Sequence, residues 1–401
     1  MNLMLVDDEG FAIKLLTRQL AQLGYDSVQG YERAADAMAV LDTDAHGVDL
    51  VFCDLQMPEV DGVEFVRHLA HVGYRGALVV VSGEDDRILH AAEKLAQAHR
   101  IQVLGVLSKP VEPQRLRLIM DRFDAHRGSA DSRGSHFFSA SEFRRAIHDR
   151  ALVNHYQPKV AMDTGALLGV EALVRWQHPQ AGLVYPDQFI PLAEENGLID
   201  ALTVVVLEKA LEQARAWQDA GLSLHMAVNV SMDNLAALDF PDMVAEQAAR
   251  AGVALTALTL EVTESRLMRD MRTQLDTLAR LRLRRVSLSI DDFGTGHSSL
   301  VQLRDLPFNE LKLDRGFVTG AAHNESLKAI VAATLAMAGK LGMTSVAEGV
   351  ETLEDWTLLH ALGCDVAQGY FVARPMPAQD LPAWLQEWQS RWRGLANGMT
   401  A

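Results

Sequence analysis

The chain has 401 residues, of which 49% are hydrophobic and 22% charged, and this is typical of a globular protein with two or three domains. Its net charge of −16, without a block of Lys and Arg, argues against a nucleic-acid surface, so DNA is not an expected partner. The N-terminus is not typical of a signal peptide, and the longest mostly apolar run, residues 329–339, is too short to cross a bilayer. We therefore expect a cytoplasmic protein without membrane insertion. Cys53 and Cys364 lie in or beside apolar runs and should pack in the core.

The first 125 residues alternate short apolar strands with helical patterns, which predicts a doubly wound α/β domain. Polar residues follow the strands predicted at residues 3–6, 49–53, 78–81 and 103–107. Ligands of such sheets bind beyond the carboxyl ends of the strands. One polar residue there is ordinary, but five at successive strand ends indicate a site. Three carboxylates can hold one Mg²⁺, and a carboxylate beside that ion can accept a phosphoryl group, which a Lys and a Ser would contact. The five residues are Asp7, Asp8, Asp54, Ser82 and Lys109.

This segment resembles the receiver domain of two-component response regulators. The resemblance implies a flavodoxin-like fold, Asp54 as the phosphoacceptor, and a sensor histidine kinase or phosphotransfer protein as partner. Val106 is a departure, because the family usually has Tyr or Phe at that position, and the usual aromatic switch is therefore absent. The motifs that carry the resemblance are Asp7-Asp8, Asp54-Leu-Gln-Met-Pro58 and Lys109-Pro110.

Residues 126–138 are predicted to be a linker. Gly128, Ser129 and Gly134 belong to a polar, Gly/Ser-rich stretch. Ser139 and Glu142 then fit a capping box that opens a helix. We predict one domain over residues 1–125 and a second over residues 139–401.

The second domain again alternates strands and helices, and eight strands over about 250 residues match a TIM-like (β/α)8 barrel. The strands are predicted at residues 154–159, 169–174, 224–230, 258–263, 286–291, 310–314, 345–349 and 366–371. A barrel interior tolerates one or two satisfied polar residues, but many carboxylates with few basic partners indicate bound metal ions. The polar residues in or just after these strands are Gln157, Glu171, Asn229, Glu261, Glu264, Asp291, Asp292, Lys312, Asp314, Glu348, Glu351 and Gln368.

The ligand types of this cluster select the metal, because oxygen donors without His or Cys suit Mg²⁺ or Mn²⁺ rather than Zn²⁺. Two ions about 3.5–4 Å apart serve in-line displacement at phosphorus. Glu348 is then a candidate general base for water, Lys312 can orient that water or neutralise developing charge, and Arg175 can pair with a phosphate. The candidate ligands are Glu171, Asn229, Glu261 and Asp291 for one ion, with Asp291 bridging to a second ion that Asp292 also holds.

The second domain resembles the EAL domain over about residues 140–390. The resemblance implies a phosphodiesterase that opens cyclic di-GMP to linear pGpG with Mg²⁺ or Mn²⁺. The motifs that carry it are Glu171-Ala-Leu-Val-Arg175-Trp, Asn229-Val-Ser, Glu261-Val-Thr-Glu264, Asp291-Asp-Phe-Gly-Thr-Gly, Lys312-Leu-Asp, Ala347-Glu-Gly-Val-Glu351 and Gln368-Gly-Tyr.

Residue roles follow from the same resemblance. Glu264 would anchor the loop of residues 292–300, in which His297 replaces the usual aromatic residue. The resemblance implies metal ligands at Glu171, Asn229, Glu261, Asp291 and Asp292, catalytic roles for Glu348 and Lys312, and positions near the substrate or behind the metal ligands for Gln157, Arg175, Asp314 and Gln368.

The whole chain therefore resembles response-regulator phosphodiesterases, for which a homo-oligomer is expected. Phosphorylation of Asp54 is expected to change activity by shifting the loop of residues 292–300 or a subunit interface. Two alternatives stay open: a catalytically silent cyclic di-GMP receptor, and a receiver-driven scaffold that binds another regulator. The complete ligand set favours the enzyme, and a metal-dependent hydrolysis assay would separate the enzyme from the silent receptor. Pull-down partners retained by an active-site mutant would support the scaffold.

Overall fold

The computed structural model describes residues 2–45, 47–83, 96, 101–132, 138–263, 271–294 and 300–399. The chain divides into two compact units, Met1–His136 and Phe137–Ala401. The division falls inside the segment predicted as a linker. Helix Pro113–Ser132 continues into that segment, so the first part of the predicted linker is helical.

The first unit is built on a five-stranded parallel sheet with the strand order β2-β1-β3-β4-β5. This order is that of flavodoxin-like folds, in which the crevice between β1 and β3 is the ligand-binding position. The strands are β1 (Leu3–Val6), β2 (Val28–Tyr31), β3 (Leu50–Asp54), β4 (Ala77–Ser82) and β5 (Gln102–Ser108), and the helices are α1 (Gly10–Gln22), α2 (Ala34–Asp44), α3 (Gly62–His71) and α4 (Pro113–Ser132).

Both faces of this sheet are buried, because every residue of β1, β3 and β4 is buried and all but the terminal Asp54 and Ser82 are apolar. Successive side chains point to opposite faces, so Met4 and Cys53 join one core cluster while Leu5 and Phe52 join the other. The predicted core position of Cys53 is thereby confirmed. Strand β2 was not predicted, because its sequence Val-Gln-Gly-Tyr is short and half exposed at the sheet edge.

The second unit is a closed eight-stranded barrel, as predicted. Strands β6, β7 and β9 to β14 close it, and β8 extends β7 outside the ring. Its strands are β6 (Leu152–Ala161), β7 (Leu167–His178), β8 (Gly182–Val184), β9 (His225–Val230), β10 (Leu258–Thr263), β11 (Ser287–Phe293), β12 (Glu310–Leu313), β13 (Thr344–Ala347) and β14 (Val366–Ala367).

Helices surround the barrel. The capping box that opens the first of them is confirmed: Ser139 Oγ accepts from the Glu142 backbone, and Glu142 accepts from the Ser139 backbone. The helices are α5 (Ala140–His148), α6 (Pro186–Glu195), α7 (Ile199–Asp219), α8 (Met232–Ala236), α9 (Phe240–Ala251), α10 (Met271–Leu283), α11 (Leu300–Asp305), α12 (Arg315–Val318), α13 (Glu325–Lys340), α14 (Leu353–Ala361) and α15 (Leu381–Met399), with short 3₁₀ turns at Leu255–Ala257, Ala321–His323 and Ala378–Asp380.

The barrel departs from a regular (β/α)8 pattern at its first strand. Strand β6 pairs antiparallel with both β7 and β14, whereas the other seven barrel strands run parallel to one another. The reason is local: residues 162–166 form a tight turn in which Gly165 adopts φ +64, so β6 and β7 are a hairpin with no helix between them. The rule that side chains meet at the carboxyl ends of strands therefore applies to seven strands and not to β6.

Cys364 is buried in the barrel core, which confirms its predicted role. Among the described helices, none combines the length and apolar character that crossing a membrane requires.

Candidate functional site

A buried lysine at the centre of the barrel joins four carboxylates. Lys312 lies on β12, and its side chain has no exposed surface. Its Nζ lies 2.7 Å from Glu348 Oε1, 2.8 Å from Glu261 Oε2, 3.1 Å from Asp291 Oδ1 and 3.6 Å from Glu171 Oε2. These residues come from β7, β10, β11 and the residue after β13. The convergence predicted for the four acids and Lys312 is therefore present.

Two amide side chains donate hydrogen bonds to Glu171, and a third amide contacts one of them. Asn229 Nδ2 donates to Glu171 Oε1 at 2.7 Å, and Gln368 Nε2 donates to Glu171 Oε2 at 2.6 Å. Gln368 Nε2 also lies 2.9 Å from Gln157 Oε1, and Gln157 Nε2 donates to the carbonyl of Ala373. Gln368 Oε1 is buried without a partner among the described residues, so this network presents an unused acceptor.

Asp291 and Asp292 are neighbours on β11, yet both reach the cluster. In a regular strand their side chains would point to opposite faces. The pairing of β11 with β12 shifts between Ile290 and Phe293, and Asp292 adopts φ +55 at this break. Carboxylate oxygens of Asp291, Asp292 and Glu348 consequently lie within 4.8 Å of one another. Three hard oxygen donors at this spacing fit a Mg²⁺ or Mn²⁺ ion.

A second buried lysine was not predicted as a site residue. Lys159 lies on β6, and its Nζ is 2.5 Å from Glu261 Oε1 and 3.3 Å from Glu310 Oε1. Glu310 and Lys312 are two residues apart on β12 and so point to the same face of that strand. The available signal was a charged residue at the end of the predicted strand 154–159, directly before the apolar residues 160–162.

The carboxylates of the cluster differ in the direction in which their surroundings shift the pKa. Burial, followed by the charge of Glu261, raises the pKa of Glu171 to about 7. Burial, together with the charges of Asp291 and Glu171, outweighs Lys312 and raises the pKa of Glu348 to about 8. Burial would also raise the pKa of Glu261, but contacts with Lys159 and Lys312 lower it to about 2. Lys312 alone therefore does not fully compensate the charges of Glu171 and Glu348.

The remaining predicted residues lie around this centre. Burial, then the charges of Asp291 and Asp314, raises the pKa of Asp292 to about 6. Asp314 itself caps α12, accepting a hydrogen bond from the Gly316 backbone at 2.9 Å. Arg175 is buried, its guanidinium carbon lies 5.0 Å from the Tyr185 ring centre, and its Nε has no partner among the described residues. Glu264 and His297 lie outside the described residues, so their predicted roles stay predictions.

The first unit has its own acidic site at the carboxyl ends of β1 and β3. Lys109 Nζ lies 2.6 Å from Asp54 Oδ2 and 2.8 Å from Asp7 Oδ2. Oxygens of Asp7, Asp8 and Asp54 lie within 4.8 Å of one another, and Asp8 is exposed. Burial raises the pKa of Asp7 in spite of Lys109. The site opens into a cleft of about 530 Å³. The acids and the lysine that the sequence pattern predicted to share a site therefore lie together in the structure.

Two neighbouring positions complete this site. Ser82 is buried at the end of β4, and its carbonyl accepts from the Lys109 backbone at 2.9 Å. Val106 lies on β5 opposite Val80 and packs against the core. Val106 thus fills, with an aliphatic side chain, the position at which the receiver family usually has Tyr or Phe.

The comparisons with known proteins agree with this geometry. The family model for the EAL domain matches residues 140–375, and the model for the response regulator receiver domain matches residues 3–121. The chain belongs to the EAL domain family and carries a response regulator receiver domain ahead of that domain.

Particular relatives share either the whole architecture or the barrel. The chain is 31% identical over 381 residues to the cyclic di-GMP phosphodiesterase RocR of Pseudomonas aeruginosa, covering 94% of this chain and 97% of RocR. It is 41% identical over 305 residues to the bifunctional diguanylate cyclase/cyclic di-GMP phosphodiesterase MucR of the same organism, covering 71% of this chain and 44% of MucR. The solved phosphodiesterase structure of PaMucR in complex with c-di-GMP has 46% identity and a TM-score of 0.58, covering 60% of this chain and 98% of that chain.

Proposed function

We propose that the barrel hydrolyses cyclic di-GMP to linear pGpG and that the receiver domain regulates this reaction through phosphorylation of Asp54. The observation that carries the proposal is the cluster of four carboxylates around the buried Lys312. The similarity to RocR, which is named for this activity and matches along its whole length, supports the same substrate.

The charge of the barrel interior supports bound divalent ions. Six carboxylates meet two ammonium groups in the described part of the barrel, which leaves an excess of four negative charges that two divalent ions would neutralise. Buried carboxylates without such compensation are strongly unfavourable. Bound Mg²⁺ or Mn²⁺ would polarise the phosphoryl oxygens and lower the pKa of water. The residues that would hold the ions are Glu171, Asn229, Glu261, Asp291 and Asp292.

Glu348 is the proposed general base. It accepts a proton from the attacking water, whose oxygen bonds to phosphorus while the bond from phosphorus to the 3′ oxygen breaks. That 3′ oxygen takes up a proton from solvent, Glu348 releases its proton to solvent, and a linear dinucleotide with a 5′ phosphate results. Lys312, 2.7 Å from Glu348 Oε1, holds this carboxylate in place and stabilises negative charge at the reaction centre.

The rim residues would position the substrate. Arg175 offers a buried guanidinium whose Nε lacks a partner among the described residues, and a phosphate oxygen is a suitable acceptor for it. Gln157 and Gln368 orient Glu171 through their amide network. Asp314 would act on Asp292 through its charge, and Glu264 would anchor the adjacent loop.

Product analysis tests the catalytic half of the proposal. The purified full chain is incubated with cyclic di-GMP and Mn²⁺ or Mg²⁺, with EDTA in a parallel sample, and the nucleotides are separated by chromatography. We expect pGpG only in the metal-containing samples, and none from Asp291→Ala. Tight binding of intact cyclic di-GMP without turnover would instead identify a silent receptor.

The regulatory half rests on the receiver site. Asp54 would receive a phosphoryl group from a histidine kinase or phosphotransfer protein, with one Mg²⁺ held by Asp7, Asp8 and Asp54 and with Ser82 and Lys109 on the phosphate. A cytoplasmic location and a homo-oligomer are parts of the same proposal. A small-molecule phosphodonor should change the hydrolysis rate of the wild type and of Asp26→Asn, a loop control, but not of Asp54→Asn. Equal responses from all three proteins would refute the coupling.

A further inference from the structure

The structure assigns a positioning role to Lys159: it holds Oε1 of Glu261 on the side of Glu310, so that Oε2 of Glu261 serves the metal site. This inference rests on the proposed metal-dependent function. Lys159 lies outside the motifs that identified the site, and its direction of approach depends on β6, the strand that runs against the other seven.

The two oxygens of Glu261 have different partners. Lys159 Nζ lies 2.5 Å from Oε1, and Lys312 Nζ lies 2.8 Å from Oε2. Glu261 and Lys312 have no exposed side-chain surface, and Lys159 has 8%. Both oxygens contact an ammonium group, but Lys312 is shared with three other carboxylates, so Oε2 can turn to a cation at a smaller loss of ion pairing than Oε1.

The contact between Lys159 and Glu261 continues to a third residue. Lys159 Nζ is 3.3 Å from Glu310 Oε1, and Glu310 begins β12 on the same strand face as Lys312. An ionic chain therefore runs through the barrel from Glu310 through Lys159 and Glu261 to Lys312. Lys312 contacts three further carboxylates and is shared among four, whereas the ion pairs of Lys159 among the described residues are with Glu261 and Glu310.

Residues that orient a metal ligand from behind change metal affinity when they are removed, commonly by about 10–100-fold. We expect Lys159→Met to weaken Mn²⁺ binding by a factor in this range and to lower kcat at limiting Mn²⁺. Saturating Mn²⁺ should restore most of kcat, and the KM for cyclic di-GMP should stay near the wild-type value. Glu310→Gln should weaken Mn²⁺ binding in the same direction but less.

The experiment measures how Mn²⁺ raises the midpoint of barrel unfolding in the full chain. All six Trp residues lie in the barrel unit, so Trp fluorescence follows this unit selectively. Lys209→Met is the matched control, because the Lys209 ammonium donates to the backbone carbonyls of Arg150 and Leu152 and contacts no carboxylate of the cluster. Lys209→Met should change the unfolding midpoint without Mn²⁺, but Mn²⁺ should raise that midpoint by the same amount as in the wild type.

The outcomes separate the possibilities. A lower starting midpoint for Lys159→Met with an unchanged Mn²⁺ dependence would show a structural lysine only and would overturn the inference. Tighter Mn²⁺ binding would overturn it as well, because Lys159 would then oppose the cation. If Lys159→Met does not fold, Lys159→Gln, which keeps a donor but no charge, should show the weakening. Failure of the wild type to bind Mn²⁺ would instead refute the proposed function.

Discussion

The receiver site and the barrel site are built from the same parts but differ in burial. Each places carboxylates at the carboxyl ends of parallel strands and adds a lysine from a neighbouring strand end or strand. In the receiver, Lys109 contacts two carboxylates and keeps 22% of its side-chain surface exposed. In the barrel, Lys312 contacts four carboxylates and has no exposed surface.

This difference determines how much positive charge each site requires. In the receiver, Asp7 and Asp54 are buried, but Asp8 and part of Lys109 remain exposed to solvent, so one lysine and the proposed Mg²⁺ would suffice for a phosphoryl group. The closed barrel excludes water, and two lysines leave its carboxylates under-compensated, as the raised pKa values of Glu171 and Glu348 indicate. We therefore expect the receiver to need little added positive charge at its proposed phosphoacceptor site, and the barrel to need bound cations at its carboxylate cluster.

The largest expected effect concerns the proposed base in the barrel. Glu348→Gln removes the proton acceptor while preserving shape, and we expect kcat to fall by about 10²–10⁴-fold. Glu354→Gln, an exposed residue in the first turn of α14, should retain wild-type kcat. The measurement is the rate of pGpG formation at saturating Mn²⁺. Turnover near the wild-type rate by Glu348→Gln would remove Glu348 from the mechanism.

Removal of each lysine tests the burial difference directly. Lys312→Met leaves four carboxylates, three of them buried, without their shared partner and should destabilise the metal-free barrel by about 3–5 kcal/mol. Lys109→Met should cost the receiver about 1–2 kcal/mol, because solvent reaches that cleft. Urea unfolding monitored by Trp fluorescence reports the barrel, and circular dichroism reports both units. Equal losses for both variants would mean that burial does not distinguish the sites.

The pH dependence of the metal-free barrel should follow its raised pKa values. The folded-state pKa values of about 7 for Glu171 and about 8 for Glu348 exceed the ordinary value of 4.5, so the folded state binds more protons than the unfolded state between about pH 4.5 and 8. Stability should therefore fall as pH rises through this window. Mn²⁺ should stabilise the barrel more at pH 8 than at pH 5.5, because fewer protons then compete for the carboxylates. A stability profile of metal-free protein that rises across the window would contradict this reading.

The sequence predicted the side chains of both sites better than it predicted their surroundings. Carboxylates after apolar runs have a simple meaning, because parallel strand ends converge, and Asp54, Asp291 and Glu348 lie where this rule places them. The direction of β6 did not follow from the pattern, since a strand reads the same in either orientation. The turn at residues 162–166 was the only local sign of a hairpin.

Lys159 shows why the site predicted from the sequence was incomplete. A lysine between apolar residues of a strand is consistent with an exposed edge as well as with a buried ion pair. Its partner Glu310 is 151 positions away, and only the closed barrel brings them together. Asp292 was predicted as a site residue, but the sequence did not reveal how it reaches the cluster. Its position depends on a backbone break at φ +55, which strand periodicity does not show.

The smallest expected effect comes from the outer carboxylate of each site, and its sign depends on metal. Asp292→Asn relieves repulsion from Asp291 and Asp314 and tolerates the left-handed backbone, so it should stabilise the metal-free barrel by less than about 1 kcal/mol. Asp8→Asn, at an exposed position, should change receiver stability by less than about 0.5 kcal/mol.

With saturating Mn²⁺ the effect of Asp292→Asn should reverse, because the variant loses an ionised ligand and gains less from the ion. Trp-monitored unfolding with and without Mn²⁺ gives both signs in one series, and Glu354→Gln supplies the control for removal of a surface charge. Stabilisation by Asp292→Asn in both conditions would mean that Asp292 adds repulsion without binding the cation. Of the two proposed ligands of the second ion, Asp291 alone would then remain.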